Sequence, residues 1–222
     1  VIDAIALREH LSCLNEVFMN GKIVKVFHGA LSDVQWLDRD FGVYLVGLFD
    51  TGQAAKILGY PSMSLAYLLE RFCKISSPDK KIFQTADWRR RPLPDQMLQY
   101  ARQDTHFLLY IYDCLRKELG QTGHIRDVWY MSRNVGLTRY QIEQFHPQAF
   151  LQHARKLPYV MKPQQLRVLE ELFKWRDETA REQDESIAYV LPNRAMMSLS
   201  LRSETINSLD SLMSCIRGGK IP

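Results

Sequence analysis

Two short apolar runs, residues 23–27 and 43–49, most constrain the fold that this chain can adopt. Each run is long enough for one buried strand, and residues 33–41 between them have the spacing of an amphipathic helix that Gly42 ends. A strand is also predicted at residues 1–7, and helices at residues 53–58 and 64–73. Asp50 and Thr51 can cap the first of these helices. Strands that alternate with helices in this way are typical of α/β proteins with a largely parallel or mixed sheet flanked by helices.

The second part of the chain lacks strand patterns. Its first stretch contains scattered prolines, glycines and aromatic residues without a sustained period, which predicts a connector that packs on the preceding domain. Helical spacing then returns, which predicts a small all-helical domain. Those helices are predicted at residues 164–184, 187–190, 194–201 and 205–216. We therefore expect an α/β domain at residues 1–120, the connector at 121–162 and the helical domain at 163–222.

Composition sets wide limits on function. The 222 residues carry a formal net charge of +4, which permits a nucleic-acid partner without requiring one. No apolar run approaches the roughly 20 residues that a membrane-spanning helix needs, so no membrane partner is expected. The scattered cysteines form no C-x-x-C pair, which disfavours a zinc site and favours reduced thiols in a nuclear or cytosolic protein. Their pairing is left open by the sequence: Cys13, Cys73, Cys114 and Cys215.

A longer helix is predicted at residues 94–119, where apolar side chains recur with a period near 3.6. Within it Tyr100 and Asp104 are four residues apart, so a phenol and a carboxylate share one helix face. The carboxylate could hold a divalent metal ion while the phenol orients a water molecule. Taken alone, such a pair is more often a half-buried ring beside a solvated acid. Asp33, which follows the strand that ends at His28, supplies a second carboxylate. This second carboxylate favours a catalytic site over the isolated pair.

Asp33, Tyr100 and Asp104 together suit the hydrolysis of a phosphodiester by two divalent ions. Mg²⁺ and Mn²⁺ prefer carboxylate oxygens, and they lower the pKa of a bound water. Two aspartates are too few to hold two ions, and an Asp-x-Glu pair on an earlier strand would supply the missing ligands. No such pair precedes Asp33 in this sequence, so the site is predicted to be incomplete as the chain stands.

Residues 76–94 are predicted to form a charged loop in which Trp88 precedes Arg89, Arg90 and Arg91. Three arginines beside a tryptophan could contact phosphates while the indole stacks on a base. The alternative is a solvated arm in which Trp88 covers the core and the arginines pair with acids. The sequence does not decide between these interpretations.

Longer stretches carry a resemblance to a known family. They are residues 25–30 with Asp33, Trp36 and Leu37, then residues 48–51, 86–93 and 100–113, and later residues 173–177, 184–186 and 189–193. The chain resembles the RNase D-like exoribonucleases of the DEDD superfamily, Tyr subclass (DEDD-Y). Among these it is similar to the exoribonuclease subunits of the eukaryotic nuclear RNA exosome, the PM/Scl autoantigen family. The last three stretches resemble the HRDC (helicase and RNase D C-terminal) domain.

The resemblance implies an RNase H-like exonuclease domain, whose first strands are missing from this sequence, followed by an HRDC domain that ends early. It implies that Asp33 and Asp104 are metal ligands, Asp33 mainly through water, and that Tyr100 orients the attacking water. His28 is not a metal ligand in the family pattern. Together with Trp88, Arg89, Arg90 and Arg91, it is a candidate RNA contact.

The function implied by the resemblance is 3′→5′ hydrolytic exoribonuclease activity with two Mg²⁺ or Mn²⁺ ions, releasing 5′-monophosphates from single-stranded RNA 3′ ends. The expected setting is RNA processing and degradation by the nuclear exosome, in the nucleolus and nucleoplasm. The expected partners are the exosome core and a cofactor protein that binds outside this segment. Because the first acidic motif is missing, the chain is expected to be inactive alone. Two alternatives stay open: a non-catalytic module that docks RNA or protein, and a DNA 3′→5′ exonuclease of a repair helicase.

Overall fold

A computed structural model describes residues 1–76 and 80–217 of the chain. The chain divides into two compact units, Val1–Gln141 and Ile142–Pro222, and each is described here by itself. Part of the predicted loop, residues 77–79, and the end of the predicted helical domain, residues 218–222, lie outside the described residues. None of the helices in the described ranges combines the length and the apolar character of a membrane span.

The first unit is built on a parallel pair of strands. Among its described residues, β1 (Lys25–Phe27) pairs with β2 (Leu48–Asp50), with Lys25 opposite Leu48 and Phe27 opposite Asp50. Its helices are α1 (Asn15–Phe18), α2 (Leu31–Phe41), α3 (Thr51–Ile57), α4 (Leu65–Leu68), α5 (Lys80–Gln84), α6 (Asp95–His106), α7 (Leu108–Thr122) and α8 (Ile125–Gly136). A 3₁₀ helix at Arg8–Leu14 precedes α1, and a π-helical segment at Leu69–Cys73 continues α4. Parallel strands joined through α2 confirm the predicted α/β class.

Both strands are shorter than the apolar runs that predicted them. Ile23 and Val24 are exposed, whereas Val43 and Leu45 are buried although they precede β2. Leu45 packs with Ala30, Val34 and Leu48, so the run is apolar because it fills the core beneath α2. The predicted end of α2 is confirmed, since Gly42 takes the left-handed conformation with φ of 59° and closes the helix.

The strand predicted at residues 1–7 is wrong. The side chain of Asp3 accepts the backbone N–H groups of Ile5 and Ala6, and the backbone oxygen of Asp3 accepts the N–H of Leu7. These bonds close the segment into a turn, and an extended chain could not make them. Its apolar side chains are exposed: Val1, Ile2, Ile5 and Leu7.

The single helix predicted at residues 94–119 is two helices. The backbone hydrogen-bond ladder breaks at Phe107, whose φ of −92° and ψ of −4° lie between α6 and α7. The break falls after Tyr100 and Asp104, so both remain on α6.

Helix α8 lies inside the predicted connector and packs against β2. The hydroxyl of Ser132 accepts the backbone N–H of Asp50 at 3.0 Å. Gly136 allows close approach, because a Cβ there would lie only 3.2 Å from the backbone oxygen of Leu45. Two of the three buried residues of α8 are therefore small or polar, and the third is Val128.

The main core of the first unit lies between the sheet and α3, α4, α7 and α8. Phe49 on β2 is fully buried and its ring meets those of Tyr112 and Trp129 edge-on, at centroid distances of 4.7 and 5.5 Å. Three apolar side chains of α7 complete this core: Ile111, Leu115 and Leu119. All four cysteines of the chain carry free thiols.

The second unit is all-helical in its described residues, as predicted. Its helices are α9 (Phe150–Ala154), α10 (Pro163–Glu182), α11 (Ile187–Val190), α12 (Asn193–Leu201) and α13 (Leu209–Arg217). Only the last begins later than expected, because the N–H groups of Thr205 and Ile206 bond to the oxygen of Arg202 in a turn. Helix α12 is central, and its residues from Ala195 to Leu201 are all buried.

Candidate functional site

One open cavity of about 590 Å³ brings together the residues that the sequence singled out for chemistry. Asp33 reaches it from the first turn of α2, Tyr100 and Asp104 reach it from α6, and His28 lies at the end of β1. Three further polar residues of its wall were not predicted to belong to a site: Lys25, Gln84 and Thr105. Side chains more than 60 residues apart in sequence therefore converge on one space.

Asp33 is a half-buried carboxylate in this cavity. Burial raises the pKa of Asp33, and the negative charge of Asp50 raises this pKa further, while a hydrogen bond from its own backbone N–H opposes the shift. Its place in the first turn of α2 favours a negative charge through the helix dipole. A carboxylate held in partial desolvation beside another acid is well suited to bind a cation.

Tyr100 and Asp104 interact along one face of α6. Burial raises the pKa of Tyr100 to about 12, and the hydrogen bond between its hydroxyl and the Asp104 carboxylate contributes to the rise. The phenol is therefore protonated at neutral pH and donates to Asp104. A phenol in this state can still accept a hydrogen bond from a water molecule and orient it.

Asp50 holds the loop that leads to Asp33, although the sequence suggested only a helix cap there. Its carboxylate is 1% exposed and accepts the backbone N–H groups of Gly29 at 2.8 Å, Ala30 at 2.9 Å and Gly52 at 2.8 Å. It thereby caps α3, as predicted, and also fixes the entry to α2. The sequence signal for this role is an acid directly after an apolar strand.

His28 is oriented by its neighbour Thr51. The hydroxyl of Thr51 donates to the backbone oxygen of Phe27 at 3.0 Å, and the hydroxyl oxygen of Thr51 lies 2.9 Å from Nδ1 of His28. Because the hydroxyl has one proton, Nδ1 of His28 must donate to it. This bond sets the tautomer of the neutral imidazole.

Lys25 is the buried cation of the cavity wall. It is 4% exposed, and its ammonium donates to the backbone oxygens of Asn20 at 2.7 Å and Ile23 at 2.8 Å. Burial lowers the pKa of Lys25. A lysine inside an apolar strand is the sequence signal that could have identified it.

Of the predicted loop residues, Trp88 contacts the candidate site and the three arginines face the solvent. Trp88 packs against Tyr100 with ring centroids 6.1 Å apart, so it contacts the candidate site directly. Arg89, Arg90 and Arg91 are exposed. Arg89 pairs with Asp87 at 2.9 Å, and Arg91 pairs with Asp3 through two bonds of 2.6 and 2.7 Å. Two of the three arginines therefore pair with acids, as the solvated-arm interpretation predicts.

The chemistry of the donor set fits a hard divalent cation. The carboxylate oxygens of Asp33 and Asp104 are the ligands that Mg²⁺ and Mn²⁺ prefer. Within residues 1–76 and 80–217, no group of three or more His, Cys, Asp or Glu side chains comes close enough to hold a metal ion. Two carboxylates would fill only part of the coordination shell of such a cation, and further oxygen ligands would be needed to complete it.

Comparison with known proteins agrees with this geometry. A family model described as "3′-5′ exonuclease" matches residues 1–120, and a model of the HRDC domain matches residues 165–214. The chain is similar to the catalytic core of RRP6 from Trypanosoma brucei. That structure matches 96% of this chain and 58% of its own chain, with a TM-score of 0.84 and 40% sequence identity. The RNase H-like exonuclease fold followed by an HRDC domain is thus present.

Curated relatives agree with these matches. Exosome complex component 10 of Homo sapiens is 46% identical over 205 residues, and exosome complex exonuclease RRP6 of Saccharomyces cerevisiae is 44% identical over 211 residues. Each alignment covers 90% of this chain but only 23% and 28% of the relative, respectively. The chain thus spans about a quarter of the length of these relatives. It belongs to the RNase D-like 3′-5′ exonuclease family, in the group that contains RRP6 and exosome complex component 10, and it carries an HRDC domain.

Proposed function

We propose that this chain carries most of the catalytic cavity of a 3′→5′ hydrolytic exoribonuclease of the DEDD-Y type. The observation that carries the proposal is the convergence of Asp33, Tyr100 and Asp104 on one cavity. Two carboxylates and a protonated phenol suit phosphodiester hydrolysis. In this reaction a water attacks phosphorus, the bond from phosphorus to the 3′-oxygen of the remaining chain breaks, and a nucleoside 5′-monophosphate is released. Similarity to an exosome exonuclease supports the polarity and the RNA substrate.

The proposed cofactors are two Mg²⁺ or Mn²⁺ ions, with Asp33 and Asp104 as the ligands that this chain contributes. When bound, such ions lower the pKa of a water and stabilise the charge that develops on the phosphate. The chain's own part in the reaction is to position groups. Asp104 holds the hydroxyl of Tyr100, and the oxygen of that hydroxyl orients the attacking water by accepting a hydrogen bond from it.

RNA binding is proposed for the rim of the same site. His28 lines the cavity, and Trp88, Arg89, Arg90 and Arg91 form the adjoining loop, so these five residues are the proposed RNA contacts. Guanidinium groups supply the positive charge that a phosphate backbone requires. Because the chain also contains an HRDC domain, we propose limits of 1–120 for the exonuclease domain, 121–162 for the connector and 163–222 for the HRDC domain.

The cellular setting is proposed from the relatives. Two of them are named as exosome components or exonucleases, so we propose that the natural protein works with the RNA exosome core and a cofactor protein, on the 3′ ends of single-stranded RNA. The proposed location is the nucleus, both nucleolus and nucleoplasm. Each of these proposals extends beyond the part of the relatives that this chain covers.

The decisive experiment compares Asp104→Asn and Tyr100→Phe in the natural protein. Release of 5′-monophosphates from a single-stranded RNA in Mg²⁺ should fall at least about 100-fold for Asp104→Asn, because a metal ligand and the partner of Tyr100 are lost together. Asp113→Asn, an exposed carboxylate on α7, is the matched control. Unchanged hydrolysis by Asp104→Asn would reject the site and favour a module that only docks RNA or protein.

A second measurement tests the ligand count. Because the described residues bring two carboxylates to the cavity, we propose that the 222-residue chain alone hydrolyses RNA slowly or not at all, even in Mn²⁺. Robust turnover by the purified chain would show that two aspartates suffice.

A further inference from the structure

Two aromatic side chains, Phe83 of α5 and Trp88 of the loop that follows it, pack on the phenol of the proposed site. The ring of Phe83 stacks on that of Tyr100, with centroids 5.2 Å apart and an interplanar angle of 27°. The indole of Trp88 meets the same ring at 6.1 Å and 42°. Neither Phe83 nor Trp88 is among the residues that line the cavity. Both therefore touch Tyr100 from outside the wall of this cavity.

The loop holds these two rings in place through its own hydrogen bonds. The indole N–H of Trp88 donates to the backbone oxygen of Phe83 at 2.9 Å, which closes the segment between them. Arg91 donates from Nη1 to the backbone oxygen of Trp88 at 2.7 Å and is itself paired with Asp3. Trp88 is therefore anchored on both sides, and its position does not depend on Tyr100.

We propose that Trp88 and Phe83 are positioning residues that keep the hydroxyl of Tyr100 directed at Asp104. The inference rests on the proposed function, in which Tyr100 orients the attacking water. A half-buried tyrosine on a helix surface can rotate about its first side-chain torsion to another staggered rotamer. Contacts with two rings exclude those rotations, because aromatic pairs are favoured at these separations and a moved ring would lose both.

For Trp88 this role competes with the RNA contact proposed above, and the two roles predict different kinetics. A residue that stacks on a base contributes binding, so its loss raises KM. A residue that acts through Tyr100 affects the orientation of the attacking water, so its loss lowers kcat and leaves KM nearly unchanged. The two roles can be separated with the same set of variants.

The kinetic test uses Trp88→Ala, Trp88→Phe and Phe83→Leu in the natural protein. For Trp88→Ala we expect kcat to fall about 10- to 100-fold with KM within about twofold, since small misplacements of a reacting group can cost that much. Trp88→Phe keeps an aromatic ring and should retain most of the rate. Trp175→Ala, an exposed tryptophan of the second unit, is the matched control. A raised KM with unchanged kcat in Trp88→Ala would overturn the inference in favour of stacking on RNA.

A spectroscopic test does not depend on activity. The 222-residue chain is labelled with 3-fluorotyrosine, and Tyr100→Phe identifies the ¹⁹F resonance of position 100. In Trp88→Ala this line should narrow relative to the wild type, because the ring gains motion independent of the protein, while Trp175→Ala leaves it unchanged. Thermal unfolding shows whether each variant is folded. An equally broad line in folded Trp88→Ala and Phe83→Leu would overturn the inference.

The two proposals fail in different ways. If Asp104→Asn retains activity, the proposed function is wrong whatever Trp88 does. If Asp104→Asn is inactive while Trp88→Ala keeps its kcat and the Tyr100 line stays broad, only the positioning role is wrong.

Discussion

The carboxylate of Asp50 accepts the backbone N–H of Ala30 at 2.9 Å, across the end of the parallel sheet. Ala30 is the residue before α2, and Asp33 lies in the first turn of that helix. The end of β2 therefore fixes the position of a proposed metal ligand that belongs to another element. Because the same carboxylate also bonds Gly29 and Gly52, three backbone groups depend on one buried side chain.

Asp50→Ala should destabilise the protein strongly. The substitution leaves three backbone N–H groups without their acceptor near the core, and each such loss costs about 1–3 kcal/mol. Since water can reach part of the new space, we expect the free energy of unfolding to fall by about 3–5 kcal/mol. Urea denaturation followed by circular dichroism measures the change.

Asp113→Ala, which removes an exposed carboxylate of α7, is the control and should change stability by less than about 0.5 kcal/mol. Asp50→Asn should lie between the two, because one of its oxygens can still accept. An Asp50→Ala variant as stable as the wild type would show that the three bonds contribute nothing net.

Asp33→Asn should make the protein more stable when no metal is present. Burial and the charge of Asp50 raise the pKa of Asp33, so its ionised form costs free energy in the folded state. The amide removes that cost at neutral pH. The gain should vanish below the ordinary aspartate pKa of 3.8, where the wild-type side chain is also neutral, and should grow as the pH rises through the raised pKa.

Thermal unfolding in EDTA at several pH values measures this gain, and Asp113→Asn serves as the control. Adding Mn²⁺ should raise the melting temperature of the wild type, because a ligand that binds only the folded state stabilises it, and should have little effect on Asp33→Asn. An Asp33→Asn variant that is less stable at neutral pH would indicate a structural role for this carboxylate.

The three residues proposed for chemistry share one cavity, whereas several elements predicted around them differ from the structure. Asp33, Tyr100 and Asp104 were chosen because of residue type, helical spacing and family resemblance, and the structure brings all three to one cavity. Their catalytic roles remain predictions. The strand at residues 1–7 failed because one side chain, Asp3, closes a turn that apolar alternation cannot reveal.

Other contacts lay beyond the reach of sequence periodicity. Helix α8 meets β2 through Ser132 and Gly136, which an apolar pattern counts as polar or neutral positions. The packing of Phe83 and Trp88 on Tyr100 joins the short helix α5 and the loop that follows it to α6. Such contacts depend on the path of the loop, which is set by its own hydrogen bonds, so they became visible only in three dimensions.

Arg176→Ala should destabilise the second unit. The guanidinium is 2% exposed and donates from Nη1 to the backbone oxygen of Leu191 at 3.2 Å and to the side chain of Asn193 at 2.7 Å. These bonds join α10 to the segment between α11 and α12. Removing a buried, bonded arginine should lower the free energy of unfolding of this unit by about 3 kcal/mol.

Arg176→Lys should rescue little of this stability, because the lysine side chain is shorter and its single ammonium group cannot reproduce the forked geometry of a guanidinium. Lys174→Ala, which removes an exposed lysine 3.9 Å from Glu178, is the control with a similar change of charge. Hydrogen exchange of the α10 and α12 amides locates the effect. Equal protection in Arg176→Ala and Lys174→Ala would contradict the prediction.

The ion pair of Arg91 and Asp3 should make stability depend on acid and salt. The Arg91 guanidinium holds the pKa of the Asp3 carboxyl well below its usual range. A lowered pKa means that the contribution is present above the ordinary value of 3.8 and is lost as the pH falls further. The stability difference between wild type and Asp3→Asn should therefore shrink in acid.

The same difference should shrink in about 1 M NaCl, where the screening length is about 3 Å and both groups are partly exposed. Denaturation curves at pH 7 and pH 3, in low and high salt, provide the measurement. A difference that persists unchanged under both conditions would mean that Asp3 acts through its turn bonds to Ile5 and Ala6 and not through its charge.

Arg90→Ala should weaken RNA binding with a specific salt signature. In the described ranges 1–76 and 80–217, Arg89 pairs with Asp87 and Arg91 pairs with Asp3, and no ion pair is found for Arg90. Of the three arginines, Arg90 can therefore reach a phosphate without breaking an ion pair. If it contacts one phosphate of a single strand, its loss should reduce the slope of log K against log salt by about 0.7.

Fluorescence anisotropy with a labelled oligonucleotide, between low and moderate salt, measures this slope. Arg126→Ala removes the same charge from an exposed position of α8 and separates a phosphate contact from a change in net charge. Arg89→Ala should have a smaller effect, because its guanidinium is already engaged by Asp87 at 2.9 Å. Parallel salt plots for wild type, Arg90→Ala and Arg126→Ala would show that the arginine loop is a solvated arm that RNA does not touch.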